Sequence, residues 1–276
     1  MPTVRINHCN YHYEVHGSGK EVLVLSHGLL WSGYMFHKQV AHLKDDYTVI
    51  TYDHRGQGQT EVTRGGYDMD ELYEDAVALL EHLNLGPVHF GGLSMGGFMG
   101  LRLAARRPEL IKSLILMETS ALDEPNKTKY TILNVLVKLF GIRVAVKPVM
   151  NIMFGQKFLN DPTRRDEVAE WRAELVKNKR TIVRAVDGVI YRKGVENELH
   201  KIKCPTLILV GEQDIATAVD RSQHLHKHIP QSKLTVVKGA GHTASVEEGD
   251  AYNQAIGSFL EEVVKKAVPE ETLSVS

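Results

Sequence analysis

The chain opens on alternation. Val4, Ile6, Tyr11, Tyr13 and Val15 are separated by polar positions, with a polar turn at 7–10, which predicts an antiparallel strand pair at a sheet edge. The pattern changes after Gly17 and Gly19. Residues 22–25 are continuously apolar, as in a strand buried on both faces. From there, apolar runs and helical periodicities take turns. A helix is expected over 33–43 and a strand over 48–52. The next helix starts at Asp68, with Glu71 completing a capping box and Leu72, Ala76, Leu79, Leu80 and Leu83 as its buried stripe. A strand beginning at Val88, a helix over 95–107 stopped by Pro108, and a strand over 113–117 follow.

The rhythm pauses after Glu118. Residues 121–200 carry helical periodicity and no strand pattern, with helices expected over 130–140, 167–177 and 181–191. Strand pattern returns at 205–210, then come a helix over 220–228, a strand over 234–237 and a last helix over 251–264. The polar tail beyond Pro269 is expected to fray. Strands and helices alternating at this pitch predict an α/β fold, a mostly parallel sheet with helices on both faces. The helical stretch reads as a lid over 121–200, inserted between two strands of a core made of 1–120 and 201–276.

Composition narrows the function without choosing it. A chain of 276 residues, 43 % hydrophobic, can bury a large core as one domain with an insertion. A net charge of -1 gives no reason to expect nucleic acid or an anionic membrane as partner. Cys9 and Cys204 are too few for a disulfide framework or a zinc site. With no basic-then-apolar leader and no apolar run long enough to span a bilayer, a soluble, cytoplasmic protein is expected.

The candidate chemistry sits at Gly92-Leu93-Ser94-Met95-Gly96, between the Val88 strand and the helix after it. Gly-x-Ser-x-Gly in a strand–turn–helix context is the pattern of a nucleophile elbow, with the serine strained at the turn and small residues two positions to either side. A serine hydroxyl needs a base to take its proton and a third group to hold the base. Asp214 follows the 205–210 strand, and His242 lies in the glycine-flanked loop after the 234–237 strand, giving the order Ser, Asp, His. Asp214 is preferred as the acid over its neighbour Glu212 and over Asp123, which follows a different strand. For the oxyanion, two backbone donors are expected: Met95, at a helix N-terminus, and Leu29, after Gly28 in the loop leaving the 22–25 strand. His27 and the 53–58 loop are read as structural.

Over nearly its whole length, from His27-Gly28 to His242, the chain resembles α/β-hydrolase-fold enzymes. Tyr52-Asp53-His54-Arg55-Gly56-Gln57-Gly58 and Phe90-Gly91-Gly92-Leu93-Ser94-Met95-Gly96-Gly97 resemble the enol-lactone hydrolases of aromatic breakdown and the esterases that open N-acyl homoserine lactones. Gln57 stands where such loops more often carry histidine, at a position expected to lie away from the triad. The resemblance implies hydrolysis of a small-molecule ester or lactone with no cofactor or metal. A serine at the elbow argues against the carboxylate-nucleophile members. Trp31, Leu122, Met150, Met153, Phe154 and Phe158 are expected to line the space over Ser94, and so apolar a set suits acyl chains better than a dicarboxylate. Arg143, Arg164 or Arg165 could instead supply the cation that a 3-oxoadipate-type enol lactone wants. A cofactor-free perhydrolase with the same triad and a non-enzymatic small-molecule receptor remain open, as does oligomeric state.

Overall fold

Eight strands form one sheet in the order β1-β2-β4-β3-β5-β6-β7-β8 in a computed structural model that describes residues 2–267. The strands are β1 Thr3–Ile6, β2 Cys9–His16, β3 Glu21–Ser26, β4 Tyr47–Tyr52, β5 Val88–Leu93, β6 Ile111–Met117, β7 Thr206–Gly211 and β8 Ser232–Val237. The β1–β2 and β2–β4 pairings are antiparallel, and every pairing from β4 through β3 to β8 is parallel. The mostly parallel α/β sheet and its strand positions match the expectation. The tail beyond Pro269 lies outside the described residues.

Strict alternation along the central strands feeds two separate cores. Leu23, Leu25, Ile115, Leu207 and Leu209 join Leu43 of the helix His37–Leu43 and Tyr252, Ile256 and Leu260 of Gly249–Ala267. Val24, Leu114, Leu116 and Ile208 face the other way, onto Leu72 and Leu79 of Met69–His82, Phe98 and Leu103 of Met95–Arg106 and Leu225 of Val219–His228. Side chains alternate across a strand, so a continuous apolar run must be covered on both faces. Asp68 caps its helix as predicted, its carboxylate accepting from the Asp70 and Glu71 amides. Cys9 and Cys204 are free, and burial pushes both thiols up to about 11, well away from a reactive thiolate.

Between β6 and β7 the chain forms helices alone. Three of them, Lys127–Phe140, Arg165–Val176 and Val183–Ile190, fall where periodicity placed them. Val146–Met153 and Gln156–Asn160 were not foreseen. The first carries Pro148, which reads as a breaker but sits in the first turn, where its missing N–H costs nothing. The second is too short to show a period. Among the described residues, no helix is long and apolar enough to cross a membrane.

Candidate active site

β5 delivers Ser94 directly to the N-terminus of the helix Met95–Arg106. Ser94 adopts φ 51° and ψ -108°, a conformation costing a non-glycine residue about 1–3 kcal/mol. The surroundings enforce it. Its N–H donates to Met117 O at 2.8 Å, and its carbonyl accepts from the Thr119 hydroxyl at 2.8 Å and the Phe98 amide at 3.1 Å. A Cβ on Gly92 would lie 2.3 Å from the Gly96 carbonyl carbon, and one on Gly96 would lie 2.0 Å from Ser26 O. Only hydrogen fits at either place, which explains the spacing of the two glycines around the serine.

His242 and Asp214 arrive on the loops after β8 and β7. Asp214 Oδ2 is 2.9 Å from His242 Nδ1, and both side chains are buried. Asp214 Oδ1 accepts from the Ala216 and Thr217 amides at 2.8 and 3.0 Å, and the Thr217 hydroxyl donates to Oδ2 at 2.9 Å. Burial alone would raise the Asp214 pKa. The His242 ring and the Thr217 donors outweigh it and hold the carboxyl below its usual range, so Asp214 is ionised at neutral pH. His242 therefore donates from Nδ1, leaving Nε2 as the acceptor. Glu212 instead accepts from the Gly239 amide, and Asp123 from the Gly194 amide and Lys127. Behind Asp214 lies Glu118, to which the Tyr252 hydroxyl donates. Burial pushes its carboxyl well above the usual range. Glu247 accepts from the Gly241 and Gly155 amides, tying the His242 loop to the helical stretch, and burial pushes its carboxyl up to about 7.

The Leu29 and Met95 amides have no partner within the chain among the described residues. Their neighbours are fixed: the Leu30 amide donates to Gln57 Oε1 at 2.8 Å, and Asn178 Nδ2 donates to Leu30 O at 2.8 Å. Gln57 Nε2 also lies 3.8 Å from Met95 Sδ. Gln57, expected to lie away from the triad, makes no hydrogen bond to Ser94, Asp214 or His242 among the described residues, but its side chain touches both segments that carry the two amides. His27 is fully buried, with Nδ1 2.7 Å from Gly28 O and Nε2 accepting from the His54 amide at 2.9 Å. Both of its nitrogens are occupied, and burial lowers its pKa. In the 53–58 loop, Asp53 accepts from the Gly33 and Gln59 amides at 2.8 Å each.

Ser94, His242 and Leu29 share a cavity of about 120 Å³. Its apolar wall includes Leu133, Val137, Ile142, Val149, Ile152, Met153 and Val186. Of the six apolar side chains expected there, Met153 is on the wall. Trp31, Phe154 and Phe158 are placed elsewhere, in an aromatic cluster with Trp171. Ring centroids there lie 5.9 Å apart for Trp31–Phe154, 5.3 Å for Trp31–Trp171 and 5.0 Å for Phe154–Phe158. Met150 packs in the same core, and Leu122 contributes its carbonyl to Arg192. The apolar residues of the Val146–Met153 helix share one face, so sequence alone could not tell which part of that face meets the cavity and which the core.

Sequence reading missed the polar side of the wall. Glu124 and Arg192 both line the cavity and pair at 3.0 Å, with the guanidinium 4.5 Å from the centre of the Phe98 ring. Asn134 is there too. Its Nδ2 donates to Val183 O and Asp187 Oδ1, which fixes the amide's orientation and leaves Oδ1 a buried acceptor without a partner. Of the arginines considered for the substrate, Arg164 bonds Glu167 and the Glu247 carbonyl, while Arg143 and Arg165 are exposed. Ser94 Oγ has no hydrogen-bond partner among the described residues; nucleophile-to-base contacts commonly tighten only around bound substrate.

Comparison with known proteins agrees with this fold. The profile of the family described as the alpha/beta hydrolase fold matches residues 21–249. The chain is 30% identical over 241 residues to 3-oxoadipate enol-lactonase 2 of Acinetobacter baylyi, covering 87% of this chain and 89% of that one. It is 28% identical over 259 residues to a putative carbamate hydrolase, RutD, of Agrobacterium fabrum, covering 90% and 97%. The crystal structure of the enol-lactonase from Burkholderia xenovorans LB400 superposes with a TM-score of 0.88 at 25% identity, covering 94% of this chain and all of that one.

Proposed function

We propose, from the premise that the chain belongs to the alpha/beta hydrolase family, that it is a serine hydrolase of neutral acyl esters and lactones, N-acyl homoserine lactones among them. One observation carries the reading. A strained serine shares an apolar cavity with a histidine whose Nδ1 is held at 2.9 Å by a buried, ionised aspartate. Ser94 attacks the carbonyl as His242 Nε2 takes its proton. Asp214 stabilises the resulting imidazolium, and the Leu29 and Met95 amides receive the oxyanion. The proton on His242 then passes to the leaving oxygen. A water activated by the same nitrogen cleaves the acyl-enzyme and restores Ser94. The stretch 121–200 acts as the lid, since Leu133, Val137, Ile142, Val149 and Met153 form the cavity wall facing the nucleophile.

Charge selects the substrate class. The enol-lactonase relative has a name that implies a dicarboxylate, and Arg192 is the one arginine on the cavity wall among the described residues. Its charge is already matched by Glu124, so a substrate carboxylate would have to displace a buried partner. A neutral acyl group meets no such cost. The cavity is slightly smaller than one of about 150 Å³ that holds a benzene-sized guest, which favours short and medium acyl chains. The unpartnered Asn134 Oδ1 supports a donor on the acyl side, such as the amide N–H of an acyl homoserine lactone.

A turnover panel with Ser94→Ala as blank tests this. It compares nitrophenyl esters of rising chain length, an acyl homoserine lactone, a plain lactone of equal length and a dicarboxylic enol lactone. Short and medium esters should turn over, the amide-bearing lactone should exceed the plain one in kcat/KM, and the dicarboxylate should be poorest. Preference for the dicarboxylate would overturn the substrate class and leave the triad chemistry standing.

A further inference from the structure

The helix Lys127–Phe140 is apolar on two sides. Its inward side puts Tyr130, Leu133 and Val137 on the cavity wall. On the other side, Ile132, Val135, Leu136, Leu139 and Phe140 are 40 to 63% exposed. Their spacing is i, i+3, i+4, i+7, i+8, which makes one continuous stripe, and exposed Val144 follows it just beyond the helix. A helix apolar all round normally belongs inside a protein, and an exposed apolar stripe of this regularity marks a surface that meets something.

The charge around the stripe says what. From 125 to 160 the sequence contains no Asp or Glu, while Lys127, Lys129, Lys138, Arg143, Lys147 and Lys157 all fall within it. Lys127 and Lys157 pair with Asp123 and Glu248, outside that interval. Lys129, Lys138, Arg143 and Lys147 are exposed and have no carboxylate partner among the described residues. The overall charge of -1 hides this segregation, which is why summed charge gave no reason to expect a membrane. We propose that this face docks on an anionic lipid bilayer, with the Ile132–Phe140 stripe seated among the headgroups and the surrounding cations over their phosphates. A second copy of the chain fits less well. A two-fold contact through this stripe would bring two cationic rims together with no acid on either to offset them. The inference stands on this outer face and does not depend on the reaction proposed for Ser94.

The test is co-sedimentation of the full chain with vesicles of phosphatidylcholine alone and of phosphatidylcholine with phosphatidylglycerol in equal parts. Binding should be about tenfold stronger to the anionic vesicles and should fall with added salt. The double variant Ile132→Glu, Phe140→Glu should lose it, with turnover of a soluble nitrophenyl ester unchanged. If that variant folds poorly, Lys129→Gln with Lys138→Gln and Arg143→Gln leaves the stripe intact and should also lose the preference. Equal binding to both vesicles, no binding to either, or full binding by the charge variant would overturn the proposal. So would a dimer in solution that the double variant dissociates, which would assign the stripe to a second copy.

Discussion

Ser94→Ala is expected to abolish ester turnover, with kcat falling by about 10⁶-fold, while the protein stays folded. Both halves follow from the same environment. Ser94 Oγ has no partner among the described residues, so its removal orphans no buried group, and the backbone that holds the strained turn is bonded through Ser94 N and O. The melting temperature should therefore stay close to that of the parent. Steady-state rates on a nitrophenyl ester together with a thermal melt make the check. A folded variant that still turns over ester at a substantial rate would remove Ser94 from the mechanism.

Asp214→Asn should lower kcat by about 10⁴-fold with little change in KM, and the hydrogen bonds explain why. The Ala216 and Thr217 amides both point at Oδ1 and demand an acceptor there. The asparagine oxygen must take that place, which puts its NH₂ at the Oδ2 position, facing His242 Nδ1. A donor there forces His242 to accept at Nδ1 and carry its proton on Nε2, the wrong tautomer for taking a proton from Ser94. The same substitution changes stability against pH. Because the folded state holds the Asp214 pKa below its unfolded value, its contribution is present above the ordinary aspartate range and is lost as pH falls through the folded pKa. Denaturant titrations of the parent should show that loss on acidification, and Asp214→Asn should flatten it. A mild kinetic effect would assign the role to another acid.

Strands β3, β6 and β7 were legible because they are buried on both faces and so carry unbroken apolar runs, at 22–25, 114–117 and 207–210. The elbow was legible for a steric reason: two Cβ atoms are forbidden around Ser94, and that prohibition leaves glycines in the sequence. The wall of the cavity was not. Val149 lines it while Met150, one residue on along the same apolar face, does not, a difference set by how that helix is rotated against its neighbours. Arg192 and Glu124 were missed because they lie far apart in sequence and carry no motif; only the packing of two segments makes them a pair. Gln57 was visible as a departure from a familiar loop, but its bond to the Leu30 amide is a tertiary contact that no spacing predicts.

Labelling with a fluorophosphonate ester, followed by peptide mass spectrometry, tests the serine mechanism most directly. One label per chain should appear on the peptide carrying Ser94, and ester turnover should fall in step with the fraction labelled. Full turnover by protein labelled at Ser94, or loss of activity that tracks a label on another residue, would contradict the account.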